Sequence, residues 1–511
     1  MNKTLPLKHL SVRVPWHDNK WNGKSCCNVL DNSFCRILPA IDAIKNPETE
    51  PCDTEISESF LPPCVSEKGT FLSPRSYTRE IPHKWAKINP MFRHFKPCLY
   101  ISKPFSFNAV PFLWMMKETA QSDCPHYSRQ ADTYELDYRE DLEAEIDQKL
   151  GFNGNIWVQH PHNQKVLLDA FFGCLQKHKS LIFFYCKHTP FSEPNERVIV
   201  GVAKVKNEIG GILEYGIDKF NDTKHRSYPW DRCVEHSLTG TNPDGFLLPY
   251  HEILKYIGEN ELEIELREFA AFAPDYAQFS FASELVEHDT AIDALLNMAE
   301  AVKKAGALLS KEFSEELNWI DNEISKIWDM RGAFPGMGPV LSAINIDEGN
   351  TIAWEIEKLI IQRDNDLLHT DPWDILDASM KDPGRFIRRG DRLFNPTIQR
   401  IWKSKSNKKK EFLKLLSRCQ LNNDQAKFIL DNYESLIGSI EEISNNMYLL
   451  YEKTRLENFG VSVRQIDKML LPPSKIAEAF PLNRGVALSD NLDERRVRAF
   501  TVSVLEEAAS E

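Results

Sequence analysis

The apolar residues of this chain change their spacing near Glu284, and no single fold layer accommodates both spacings. Before that point, 181–186 (LIFFYC) and 197–205 (RVIVGVAKV) are β-branched and aromatic runs separated by a polar, Pro-containing loop. Such runs suit a pleated surface and pair as a hairpin. Beyond it, Ile292, Leu295, Leu296, Met298, Ala299, Val302 and Ala305 recur at helical intervals, as do Leu317, Ile320, Ile324 and Ile327. That recurrence marks amphipathic helices. The expected class is multidomain α+β, with a small antiparallel β domain followed by a mostly α-helical part.

A chain of 511 residues is too long for one hydrophobic core, so several domains are expected. Residues 1–145 are rich in Cys, Trp, Pro and His and lack a clean period. They open on a strand-like run, 10–14 (LSVRV), stopped by Pro15. An acidic helix is expected near 134–150. Residues 150–275 form the α+β unit, with a helix over 163–177 before the hairpin and a third strand at 211–215 (GILEY). A helical domain with a tight turn at 334–344 spans 284–400, and a further helical region covers 409–511.

A hydrophobic content of 42% and a charged content of 27% suit a globular protein. No apolar run reaches the ~18–20 residues of a membrane helix, and residues 1–10 lack a signal-peptide core. A cytoplasmic location without membrane partners is therefore expected, with the eleven cysteines mostly reduced.

The turn at 331–344 (RGAFPGMGPVLSAI) reads as a helix-hairpin-helix. Gly336 and Gly338 permit a sharp bend with positive φ, and Pro339 suits the first turn of the helix that follows. Free amides at a helix start attract anions, and the phosphate of a nucleic-acid backbone is one such anion. Arg331 stands beside this turn. Between Arg385 and Arg418 there are twelve Lys or Arg against two acids, on a chain of net charge −13. Arg385, Arg388, Arg389, Lys408, Lys409 and Lys410 would add sequence-independent attraction to DNA. The competing reading is an ordinary Gly- and Pro-rich turn, with 403–410 (KSKSNKKK) a solvated flexible linker.

No nucleotide-binding Walker sequence, nucleophile elbow, H-E-x-x-H pair or G-x-G-x-x-G turn occurs. The chain therefore names no catalytic residue, and enzymatic activity is left open. Five cysteines fall within the first 64 residues. Cys26, Cys35, Cys52 and Cys64, with Cys27, His17, His83, His94 and Cys98 nearby, offer ligands for zinc or an iron–sulfur cluster. Buried or incidental thiols are the alternative, since no C-x-x-C pair is present. Trp16, His17, Asp18 and Trp21 could line a pocket or stack on a base.

Two resemblances add to this. The stretch 417–430 (SRCQLNNDQAKFIL) resembles a helix-hairpin-helix unit of the L-s-x-x-Q-A type, in which Gln425 takes the glutamine position. It leads to 443–452 (ISNNMYLLYE), similar to the eNPYlL step of long RecD-like helicases, and 493–510 resembles the helix preceding their superfamily 1 motor. The chain stops at Glu511, one residue short of that family's usual Gly-His. The resemblance thus implies a pre-motor, DNA-binding region, with ATP bound only by a motor outside this chain. One departure is the replacement of the family's GfG turn by 480–488 (FPLNRGVAL). The opening SVRVPWHDxxWNG also resembles the front of large bacterial ATPase/helicase proteins, some in phage defence. Separately, FFY at 183–185 and IVGVAKV at 199–205 resemble PUA-like and EVE barrels, which would make Trp157, Tyr185 and Trp230 walls of a base pocket.

The leading functional expectation is a non-motor DNA-binding region of a RecD-like helicase or ATPase. A scaffold that docks a separate motor or nuclease, with no DNA affinity of its own, is the second. A metal-dependent nuclease acting through the Cys/His region is the third.

Overall fold

The computed structural model describes residues 6–14, 77–81, 98–102, 106–108 and 171–510, apart from 188, 194–195, 210–232, 239–242, 280–282, 364–366 and 388–389. The chain divides into two compact units, Leu7–Ile324 and Ser325–Glu511.

The first unit is built on a curled sheet. Its strands are β1 (His9–Arg13), β4 (Ser106–Asn108), β5 (Leu181–Cys186), β6 (Val198–Ile209), β7 (Cys233–His236), β8 (Gly245–Leu247) and β9 (Ser283–Val286); β2 (Tyr77–Ile81) and β3 (Cys98–Ser102) form a separate antiparallel pair. The order along the main sheet is β4-β7-β6-β5-β1-β9, with β8 also pairing with β6. The expected hairpin is present: β5 and β6 pair antiparallel, Phe183 opposite Val202 and Tyr185 opposite Ile199. All six residues of β5 are buried. This continuous apolar run, without alternation, is the mark of a strand covered on both faces.

Two features depart from the sequence reading. The strand expected at 10–14 inserts between β5 and β9, parallel to the first and antiparallel to the second. The sheet is therefore mixed and draws on residues well outside 150–275. The helical pattern also begins later than Glu284, because that residue lies in β9. The helix expected over 163–177 has its last described helical residue at 173, and 211–215 lies outside the described residues.

Helix α1 (Tyr250–Glu259) packs its Tyr250 into the sheet, where the hydroxyl donates to Ile199 O at 3.0 Å and accepts from Ala271 N–H at 2.9 Å. Helix α2 (His288–Leu309) buries Ile292, Leu295, Met298, Ala299, Val302 and Ala305, as its period predicts. Leu296, assigned to the same face, is 50% exposed. Helix α3 (Ser314–Arg331) buries Ile320 and Ile327.

The second unit is helical among its described residues. It contains α4 (Met337–Ala343), α5 (Gly349–Gln362), α6 (Pro372–Lys381), α7 (Pro383–Phe386), α8 (Gly390–Leu393), α9 (Pro396–Ser404), α10 (Asn407–Leu416) and α11 (Asn423–Asn432), the last continued by a π-helical turn over Tyr433–Ile437. Then come α12 (Ile440–Asn445), α13 (Leu449–Thr454), α14 (Val463–Leu470), α15 (Ser474–Ala479) and α16 (Glu494–Ser510). Side-chain caps start many of them. Asn422 with Gln425, Ser439 with Glu442 and Ser462 with Gln465 form complete capping boxes, each satisfying two otherwise orphan backbone donors. No helix among the described residues is long and apolar enough to cross a membrane.

Candidate nucleic-acid interface

Three turns of the helical unit meet at one place. The turn after α3 carries Gly332 at φ 65°, and the Cβ of any other residue there would press on Leu367. Gly336 caps α4 at φ −88°, not in the positive-φ conformation expected of it. Its amide is not free for a phosphate either, since it donates to Ser417 O at 2.8 Å. A Cβ at Gly336 would stand 2.1 Å from Cys419 O, and one at Gly338 would stand 2.4 Å from Asn350 Oδ1. Both glycines are buried, and α4 packs on α5 and α11. The GxG therefore serves close helix packing. The reason is steric: only residues without a Cβ let the 417–419 backbone approach so closely.

Arg331 and Gln425 are likewise drawn into the structure. Arg331, 5% exposed, stacks on Trp328 and donates to Gly332 O at 3.2 Å and Arg418 O at 3.0 Å. Gln425 receives the Asn422 amide in its capping box and donates to Gly460 O at 2.8 Å. Gln465, in the equivalent place on α14, donates to Gln420 O at 2.9 Å and to Gln425 Oε1 at 3.3 Å. The starts of α11 and α14 are thus tied by reciprocal glutamines. Sequence reading found Gln425 and missed Gln465, although the same N-cap-x-x-Gln spacing marks it at 462–465.

The cationic stretch does not form the solvated linker of the competing reading of 403–410. Residues 403–404 end α9, Lys405 is the link, and Ser406 caps α10 by accepting the Lys409 amide at 3.2 Å. Lys408, Lys409 and Lys410 therefore occupy the first turn of α10, which holds no acid. The positive end of a helix dipole disfavours cations, so this placement is electrostatically costly. Lys408 is exposed and reaches Glu441 only at 3.4 Å. Lys409 lies over the Tyr433 ring at 3.9 Å, and burial, then the nearby charge of Lys405, lowers its ammonium pKa. Lys410 lies over Trp402 at 4.4 Å, 3.9 Å from Asp377. Lys405, not singled out from the sequence, thus belongs to the same cluster.

Arg385 lies in α7, and Arg388 and Arg389 fall outside the described residues. A cavity of about 80 Å³ lies at the 332–337 turn, bordered by Phe334, Met337, Glu357 and Ile360; that volume suits a few waters.

The other expected sites fare unevenly. Cys26, Cys35, Cys52 and Cys64, and with them Trp157 and Trp230, lie outside the described residues. Among the described residues no group of three or more His, Cys, Asp or Glu is placed to hold a metal. Tyr185 is fully buried, edge-on to Phe279 at 5.6 Å, and burial raises its phenol pKa strongly. It is a core residue rather than an accessible pocket wall.

No family model, curated protein or solved structure matches this chain.

Proposed function

We propose that this chain contacts nucleic-acid backbone without reading sequence, as a non-motor region of a RecD-like helicase or ATPase, through the cationic start of α10. The supporting observation is the acid-free first turn carrying three lysines, with Lys405 beside them. Cations at a positive helix end cost stability in isolation, and a bound phosphate would offset that cost. Gly336 and Gly338, engaged in packing, are not part of the proposed surface.

The test is titration of labelled single-stranded and duplex oligonucleotides at increasing salt. Weak binding is expected, with log K falling linearly against log salt. Replacing Lys408 and Lys409 with Gln should lower the slope by about 2. No binding even at low salt overturns the proposal.

A scaffold role has a specific observation in its favour. Leu456, Leu492, Val504 and Leu505 are 83%, 79%, 58% and 63% exposed. Exposed apolar groups mark docking surfaces where they adjoin, as Val504 and Leu505 do in sequence on α16. Copurification of a motor or nuclease, together with no oligonucleotide binding, would favour that reading.

A further inference from the structure

Arg197 is a buried cation with no ion-pair partner among the described residues. It precedes β6, and its backbone is pinned where Ala273 N–H donates to Arg197 O at 2.9 Å. The residue is 5% exposed. Its guanidinium makes one hydrogen bond, from Nε to Phe279 O at 3.1 Å, while Nη1 is buried with no acceptor. No carboxylate among the described residues lies within ion-pair distance of it.

Two other cations of this unit are paired. Lys204, 6% exposed, is held by Glu323 at 2.7 Å and Asp244 at 3.3 Å. Arg267, less buried, is held by Glu196 at 2.5 Å. A guanidinium does not shed its proton, so it stays charged when buried. Burying it with an N–H that has no acceptor is costly. That cost has a simple explanation if the N–H donates to an oxyanion, whose two oxygens match the guanidinium fork.

The ring stacked on this guanidinium narrows the ligand further. The Tyr276 ring lies 3.8 Å from the Arg197 guanidinium and is itself 63% exposed. One ring face is held by the cation and the other is available for stacking. We propose that Arg197 and Tyr276 form a site for a nucleotide, with the phosphate on the guanidinium and the base on the tyrosine. This site lies in the sheet unit and does not depend on the backbone contact proposed for α10.

The whole chain, in phosphate-free buffer, is titrated by calorimetry with adenosine monophosphate, cytidine monophosphate, adenosine and inorganic phosphate. Saturable binding of the monophosphates is expected, at least about tenfold tighter than adenosine or inorganic phosphate. Tyr276→Ala, at an exposed position, should leave the melting temperature unchanged and weaken monophosphate binding about tenfold. Arg197→Lys keeps the charge but loses the fork, so its affinity should also drop about tenfold. Should Arg197→Lys fail to fold, the unmodified chain and Tyr276→Ala still decide the matter. Inorganic phosphate binding as tightly as the monophosphates means an adventitious ion only and overturns the assignment. So does the absence of monophosphate binding at ~10 mM, or full affinity in a folded Arg197→Lys.

Discussion

Gly336 illustrates how much one residue can carry without touching a ligand. Adding a methyl there requires Cys419 O to retreat from 2.1 Å, and the backbone it would displace is also bonded to the Gly336 amide. Gly336→Ala should therefore cost about 1–3 kcal/mol in denaturant unfolding. A loss below about 0.5 kcal/mol would show that the turn is looser than described. The sequence revealed that glycine mattered at this position but not why, because a positive φ and a close approach leave the same mark in a single sequence. A second residue-scale expectation concerns His9, whose Nδ1 accepts from Leu181 N–H at 3.0 Å. Its proton must then sit on Nε2, facing His288 Nδ1 at 3.0 Å. Burial, and then His288, pushes the His9 pKa well below the usual value, so the folded ring stays neutral; Lys8, next to His9, is paired with Glu287, next to His288. Burial, with Lys206 nearby, likewise holds His236 at about 4. Both rings take up protons more readily when unfolded. Stability should then be unaffected by these rings well above pH ~6.5 and fall as pH drops below it, by up to about 1.4 kcal/mol per pH unit for each ring. Urea unfolding at several pH values would show this, and His9→Gln should flatten the profile. An unchanged profile would remove His9 from the account.

At the scale of elements, the reciprocal glutamines make a separable unit. Gln425→Ala and Gln465→Ala should each cost about 1 kcal/mol. The double mutant should lose less than the sum by about 0.5 kcal/mol or more, since the two side chains share a contact. Strict additivity would mean that the two helix starts are tied elsewhere. Helix α10 offers the opposite separation. Replacing Lys408 and Lys409 with Gln removes unfavourable charges from its positive end, so stability should hold or rise by about 0.3–1 kcal/mol while oligonucleotide affinity falls. Many elements were legible in advance. The runs at 181–186 and 197–205 are strands because β-branched and aromatic residues leave the backbone little else to do, and the apolar period across 292–305 is an amphipathic helix. The alternative linker reading of 403–410 fails for a local reason. Its charges suggested a solvated linker, whereas Ser406 caps a helix whose apolar face, with Phe412, Leu413 and Leu416 buried, begins just beyond the lysines. Lys405 was overlooked for the same reason, since its proximity to Lys409 depends on the bend at the cap.

For the whole molecule, the main consequence is that residues near the start of the chain hold the sheet together. Strand β1 lies between β5 and β9, and residues 9–12 are all buried. Removing residues 7–14 should unfold the sheet unit rather than trim it, read as lost protection of 181–205 from proteolysis. Survival of that protection would show that β5 and β6 stand without β1. Net charge of −13 gives no warning of a confined cationic surface, because a total hides where charges lie. Read alone, the sequence determined the mixed α+β class, the hairpin strands at 181–186 and 198–205 and the amphipathic helix across 292–305, since these depend on residue type and short-range spacing. Only the tertiary structure decided that β1 lies between β5 and β9, that the Gly336 amide is taken up by Ser417 O, that Tyr185 is sealed in the core, and that Arg197 lies buried with no ion-pair partner among the described residues. Each of these turns on contacts between segments far apart in the chain, and local periodicity carries no record of such contacts.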